Sequence, residues 1–194
     1  MLNSTPAMPD LEALLPQAAR AWVASVPAEE RADAYSRAAR IVGKAPLDVP
    51  GRGTWGSDEV ARAALLVRGF SPTLAWSRGD NRERQAVLKA LPLLPSPERF
   101  VDLAVEACRS NVLTVFEAIA CENPFPRTYF PEPAFNQMVL KAAFNGVALA
   151  RIDGLAERKN AELARMAADF AAERRAAGRP VPEDLHLVMK GAPS

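Results

Sequence analysis

The sequence predicts an all-α fold, built from stacked antiparallel helical hairpins as a HEAT-like superhelix or as an irregular helical bundle. Apolar residues recur at spacings of three and four along most of the chain. Proline and glycine interrupt this pattern at short intervals, and no segment shows the alternation of a half-buried strand. A chain of 194 residues suits one domain. We therefore expect a single helical domain over residues 1–194, whose first 50 residues are defined least clearly.

The helical spacing predicts a series of short helices. It begins over residues 11–22, where Pro16 either starts the helix or kinks it, and resumes over 35–42. Two prolines and three glycines predict a loop over 46–56. Ser57 is expected to cap the next helix. Further helices are expected at 57–67, 72–76, 80–94, 97–108, 112–121, 135–142, 163–173 and around 185–188, with a proline-rich loop over 122–133.

Composition excludes several classes of function. The net charge is +1, so the basic excess of a nucleic-acid-binding protein is missing and no nucleic acid is expected. No stretch approaches the roughly 20 apolar residues of a membrane span, and the N-terminus has no signal-peptide pattern. We expect a cytoplasmic protein that is not integral to the membrane.

Residues that could carry catalysis are sparse. His186 is the only histidine and lies near the chain end, which does not suit a catalytic triad. Cys108 and Cys121 lie on different predicted helices without a CxxC pair, so no metal site is expected. No phosphate-binding or nucleotide-binding glycine motif occurs, and no cofactor is expected.

The proline-rich segment from Asn123 to Pro133 is the most unusual local feature. Its four prolines fix the backbone, so the aromatic rings of Phe125 and Tyr129 are expected on a stiff strap. Either these rings fill the core across helix ends, or the strap, Asn123 included, forms a recognition surface. The sequence leaves both interpretations open.

A polar stripe follows the strap. Gln137, Lys141 and Asn145 are spaced by four residues and share one helix face, with Asn136 at its edge. The stripe is either a solvated face or the polar wall of a binding groove. The amide of Asn136 is expected to satisfy backbone groups of the strap.

Glu117 is the one ionisable residue in an apolar helix. If it is buried, it needs a partner such as Lys141 or Arg151, and a raised pKa would make it a candidate acid or base. An ordinary paired or surface carboxylate is the alternative.

These segments also carry a family resemblance. The residues are Cys121–Pro126, Tyr129–Glu132, Phe135–Ala142, Leu149–Ile152, Asn160–Met166 and Ala176–Val181, with Asn81–Arg84 upstream. Together they resemble the EboA family over about residues 55–185. The resemblance implies that the protein is encoded in a bacterial operon and has a role in metabolite traffic. The other proteins of such operons look like a prenyltransferase, a hydrolase and a sugar-phosphate cyclase. The resemblance implies no catalytic residues.

Three functions follow as hypotheses. The first is a non-catalytic helical adaptor or carrier in metabolite traffic or natural-product export, which binds a small molecule or other Ebo-operon proteins. The second is an enzyme that uses Glu117 with Lys141 or Arg151. The third, a HEAT-like nucleic-acid-binding protein, would rest on Arg158, Lys159, Arg174, Arg175 and Arg179, among which acidic residues are interspersed. We favour the first, without catalysis.

Overall fold

A computed structural model describes residues 8–189, with side chains from residue 11 onwards. This part of the chain is mostly helical, which confirms the predicted fold class. The chain divides into two compact units, one ending at Ile119 and the other beginning at Ala120. Each unit is described by itself.

The first unit contains most of the helices. Their order is α1 (Met8–Ala13), α2 (Gln17–Ser25), α3 (Arg31–Val42), β1 (Pro46–Val49), β2 (Gly53–Gly56), α4 (Ser57–Val67), α5 (Pro72–Arg78), α6 (Asn81–Ala90), α7 (Val101–Ala107) and α8 (Leu113–Ala120), whose last residue belongs to the second unit. Single 3₁₀ turns lie at Ala28–Glu30, Leu91–Leu93 and Pro97–Phe100. Pro16 is the N-cap of α2, which confirms the first of the two expected alternatives, that a helix starts at this proline. Asp80 and Glu83 form a capping box at the start of α6.

The predicted loop over residues 46–56 was wrong, because β1 and β2 pair there as an antiparallel hairpin. Each strand has four residues, too few for an alternating pattern to be recognised. Gly51 and Gly53 adopt the positive φ angles that the turn requires. The hairpin buries the ring of Trp55, whose indole N–H donates to the Arg52 carbonyl at 3.2 Å.

Helix α4 is the central element of the first unit. Every residue from Ser57 to Leu66 is buried, and α1, α2, α3 and α6 pack around it. The predicted Ser57 cap was wrong by one residue: Gly56 is the N-cap, and its N–H donates to Glu59 Oε2 at 2.7 Å. A helix buried on all sides must bring its polar residues into the interior, where they need partners.

Two carboxylates and two arginines form a buried ionic cluster at the start of α4. Asp58 is fully buried and accepts hydrogen bonds from Arg62, one turn along the same helix, and from Arg82 of α6 at 2.7 Å. Arg62 also donates to the Tyr35 carbonyl at 3.0 Å and lies 3.9 Å from Glu83. The cluster therefore joins α3, α4 and α6 through ion pairs and hydrogen bonds whose central residues, Asp58 and Arg62, are buried.

Beside this cluster, Lys89 of α6 contacts both the start of α4 and the hairpin. Lys89 Nζ lies 2.8 Å from Glu59 Oε2 and 5.5 Å from the centre of the Trp55 ring. Burial raises the pKa of the Tyr35 hydroxyl, which therefore keeps its proton and donates it to the Glu83 carbonyl at 2.6 Å. The contacts of Lys89 hold α6 against α4 and the hairpin, and the Tyr35 hydrogen bond holds α3 against α6.

The ionic cluster predicts acid sensitivity. Burial alone would raise the pKa of Asp58, but the hydrogen bonds and charges of Arg82 and Arg62 outweigh it and hold this pKa below its ordinary value. A depressed carboxyl pKa contributes stability that is full above the unfolded-state pKa of about 3.9 and is lost as pH falls through the folded-state pKa. Urea unfolding should therefore show a stability loss below about pH 4 that is smaller in Asp58→Asn. Equal losses in both proteins would contradict this assignment.

The second unit contains α9 (Pro124–Tyr129), α10 (Glu132–Phe144), α11 (Leu155–Arg158), α12 (Ala161–Ala176) and α13 (His186–Met189), with 3₁₀ turns at Leu149–Arg151 and Glu183–Leu185. The predicted loop over residues 122–133 was wrong. Pro124 and Pro133 stand in first turns of helices, where a missing N–H costs nothing because it would have no partner inside the helix. The prolines of this segment therefore start helices.

Candidate functional site

Two aromatic residues of the proline-rich segment, Phe125 and Phe130, are buried in the second unit, and Tyr129 is half-buried. Phe125 is fully buried, and its ring centre lies 4.9 Å from that of Tyr129 and 6.2 Å from that of Phe130. The buried Asn123 is the N-cap of α9 and accepts a hydrogen bond from the Phe125 N–H at 3.0 Å. Phe125 therefore fills the core, as the first of the two expected alternatives states, but it does so from a helix and not from a stiff strap.

Arg158 closes the other end of α9. Its guanidinium donates to the carbonyls of Pro126, Arg127 and Phe130 at 2.8–3.2 Å and lies 4.6 Å from the Phe135 ring centre. From the sequence, Arg158 was expected only as a member of a basic cluster. Nothing in the local pattern indicates that it caps a helix about 30 residues earlier in the chain.

Asn136 pairs with another amide. Its buried side chain and that of Asn160, the N-cap of α12, exchange two hydrogen bonds of 3.1–3.2 Å. The expected bonds from Asn136 to the backbone of the strap are replaced by this pair. It fixes the start of α12 against the first part of α10.

The residues of the predicted acid–base group lie in different units. Glu117 is half-buried on α8 of the first unit, whereas Lys141 and Arg151 belong to the second. Arg151 forms a bidentate pair with Glu122 at 2.8 and 3.0 Å. The Glu122 N–H also donates to the Arg151 carbonyl at 2.9 Å, which holds Glu122 at a left-handed φ of 47°. The role of Glu117 stays a prediction.

The polar stripe lies on the outer face of α10. Gln137 and Asn145 are exposed, and Lys141 is half-buried. Phe144 stands among them with 66% of its surface exposed, more than any other large apolar residue of the described chain. Phe144 lies seven residues, or about two helical turns, after Gln137. This spacing places both residues on the same helix face and could have been recognised in the sequence.

Phe144 belongs to a row of apolar side chains that α10 and α12 form together. Its ring centre lies 6.4 Å from that of Phe170, and the Arg174 guanidinium lies 5.6 Å from the Phe170 centre. Leu140 and Met166, both half-buried, lie one turn earlier on the same helix faces. We name these four apolar residues, Leu140, Phe144, Met166 and Phe170, the α10–α12 seam.

The seam lies between two parallel helices, α10 and α12. Asn136 meets Asn160 at one end, and Phe144 meets Phe170 at the other, so residue numbers rise together along both helices. Polar side chains border the seam, namely Gln137, Lys141, Asn145, Glu173 and Arg174. An exposed aromatic centre with a polar rim is the arrangement found at protein-binding surfaces.

Within residues 8–189, no helix is both long and apolar enough to cross a bilayer. The described side chains also contain no group of three or more histidine, cysteine or acidic residues placed to hold a metal ion. Cys108 and Cys121 do not form a disulfide.

Comparison with known proteins identifies the family. A family model described as metabolite traffic protein EboA matches residues 52–190, which include the ionic cluster and the α10–α12 seam. The match contains the region expected from the resemblance. Neither the curated proteins nor the solved structures include a match. The chain therefore belongs to the EboA family.

Proposed function

We propose that this protein is a non-catalytic adaptor in metabolite traffic that holds a partner protein on the α10–α12 seam. The observation that carries the proposal is the exposed ring of Phe144 on a helix whose other large apolar side chains are buried or half-buried. The family name supports the link to metabolite traffic. A partner from the same operon suits this role.

The chemistry of the surface favours a protein as the bound molecule. Transferring an aromatic ring from water into an interface is among the largest single contributions to protein binding. The rim supplies the amides of Gln137 and Asn145, together with the charges of Lys141, Glu173 and Arg174. A rim with both charge signs suits a folded partner better than a nucleic acid, which requires a basic surface.

Three of the residues expected to bind have structural contacts instead. Asn123, Phe125 and Asn136 lie in the interior, where they cap or pack helices. Gln137, Lys141 and Asn145 remain on the accessible face beside Phe144. The proposed binding surface therefore keeps the polar stripe and replaces the strap by the seam.

Phe144→Ala should release the partner. Alanine at the centre of an interface costs about 2 kcal/mol or more, roughly thirtyfold in Kd. Native mass spectrometry of the tagged protein from its own host should show a stoichiometric partner that is lost in Phe144→Ala. Ile41→Ala is the matched control, because Ile41 is also an exposed apolar residue but lies in the first unit and outside the matched region.

Two outcomes would contradict the adaptor proposal. One is a partner retained equally by Phe144→Ala and by the wild-type protein. The other is a bound small molecule with no protein partner, which would favour the carrier hypothesis.

A further inference from the structure

We infer that Asn145 is a site of spontaneous covalent modification, at which the side-chain amide becomes a carboxylate through a cyclic imide formed with the nitrogen of Gly146. The reaction needs water alone as co-reactant, and its products are aspartate and isoaspartate. The inference does not rest on the proposed function. It follows from the order of two residues in the chain and from their place at the end of α10.

The chemistry is an acyl transfer within the chain, which is favoured because both reacting groups belong to adjacent residues. The main-chain nitrogen of Gly146 attacks the side-chain carbonyl carbon of Asn145, and the bond from that carbon to the amide nitrogen breaks. Ammonia leaves with the proton of the attacking nitrogen, and a five-membered imide remains. Water then opens the imide. Addition at the side-chain carbonyl gives aspartate, and addition at the main-chain carbonyl gives isoaspartate, in which the chain continues through the side chain.

The residue that follows the asparagine selects this position. A side chain on the following residue crowds the attacking nitrogen, and glycine has none. The sequence contains seven asparagines, and Asn145 is the one followed by glycine. Asn123 precedes Pro124, whose nitrogen carries no proton for the leaving ammonia. The order of residues therefore makes Asn145 the most reactive asparagine of the chain.

The fold leaves both reacting residues accessible. Asn145 and Gly146 are exposed, so water reaches the amide and the imide. Asn145 is the C-cap of α10, and Gly146 follows it with a left-handed φ of 71°. No described atom beyond the two adjacent residues lies within 4 Å of the position that a Cβ atom on Gly146 would take, so the ring has room to form. At Gly154, which follows Asp153, the Arg127 side chain fills the equivalent space.

The hydrogen bonds at the helix end slow the reaction. The Gly146 N–H donates to the Ala143 carbonyl at 3.2 Å, and the Val147 N–H donates to the Ala142 carbonyl at 2.9 Å. In the imide, the Gly146 nitrogen lies on the Cβ side of the Asn145 Cα–C bond, so ψ must rotate away from the observed −2°. Such a rotation breaks both hydrogen bonds. Because the last turn of a helix opens at a small free-energy cost, we expect about one-tenth of the rate of an unfolded peptide.

The modification changes both the charge and the main chain. The new carboxylate lowers the net charge of +1 by one. It stands at the C-terminal end of α10, where the helix dipole disfavours a negative charge. Isoaspartate also adds one methylene to the main chain before Gly146, which displaces the N–H groups that bond the last turn. Because Asn145 borders the α10–α12 seam, that surface gains a negative charge as well.

Water labelled with heavy oxygen tests the inference. The full-length protein is incubated in neutral buffer made with this water and is then digested with trypsin in ordinary water. The tryptic peptide over residues 142–151 contains Asn145 as its one asparagine. Mass spectrometry should show that its amide becomes a carboxyl group with one heavy oxygen atom, at about one-tenth of the rate of a synthetic peptide of the same sequence. A methyltransferase specific for isoaspartate should label part of the product, which direct hydrolysis of the amide would not supply.

Two controls locate the reaction. Asn145→Gln keeps an amide, but its longer side chain would need a six-membered ring, so this peptide should stay unmodified during the same incubation. Asn111 is also exposed, but it precedes Val112, whose branched side chain crowds the nitrogen. Fragmentation spectra should therefore show less heavy oxygen at Asn111 than at Asn145 at every time.

Four results would overturn the inference. The first is an unmodified peptide 142–151 from the incubated protein, whatever the synthetic peptide does. The second is a product that carries only ordinary oxygen, because it would have formed during digestion. The third is a product without isoaspartate, which would indicate direct hydrolysis and no imide. The fourth is equal or faster modification at another asparagine, which would remove the role of Gly146.

Discussion

Asp58→Asn should destabilise the first unit by about 3–5 kcal/mol, the usual cost of removing one partner from a buried ion pair. The amide keeps the size of the carboxylate but loses its charge. Arg62, whose side chain is 3% exposed, would then be buried beside a neutral group. The three tryptophans, Trp22, Trp55 and Trp76, all lie in this unit, so tryptophan fluorescence during urea unfolding reports on it selectively.

Asp33→Asn is the matched control for this prediction. Asp33 pairs with Arg37 across one turn of α3, and both side chains are more than half exposed. An exposed pair of this type contributes at most about 1 kcal/mol. If Asp58→Asn and Asp33→Asn lowered the free energy of unfolding equally, the cluster at α4 would not hold the first unit together.

Phe125→Ala should destabilise the second unit by about 3–5 kcal/mol, because it leaves a cavity where a fully buried ring packed. The rings of Tyr129 and Phe130 would lose their central neighbour. Thermal unfolding followed by far-ultraviolet circular dichroism measures the loss.

Phe144→Ala provides the comparison within the same unit. Because most of the Phe144 surface is exposed, its removal should change the free energy of unfolding by about 0.5 kcal/mol or less. An equal loss from both phenylalanine variants would mean that Phe144 is a core residue, and the seam would lose its role as a binding surface.

The helices could be predicted because each buries an apolar stripe that repeats with the helical period. The hairpin could not, because strands of four residues leave no visible alternation. The prolines at 124–133 were interpreted as loop residues, although Pro124 and Pro133 occupy first-turn positions that helices tolerate. Proline marks a helix boundary in the sequence without showing on which side of it the helix lies.

The candidate site was predictable only in part. The stripe of Gln137, Lys141 and Asn145 follows from spacing within one helix. Phe144 lies on the same face by the same spacing, but its exposure depends on where α12 packs. Asp58 and its partner Arg82 are 24 residues apart, and charged residues at a helix start are common on protein surfaces. Long-range packing decides which of them are buried.

Hydrogen–deuterium exchange is the most direct test of the α10–α12 seam as the binding surface. The protein would be compared alone and with the partner that co-purifies from its host. The account predicts slower amide exchange on binding around residues 140–145 of α10 and 166–174 of α12, with little change in the first unit. Slower exchange confined to the first unit, with the seam unaffected, would contradict it.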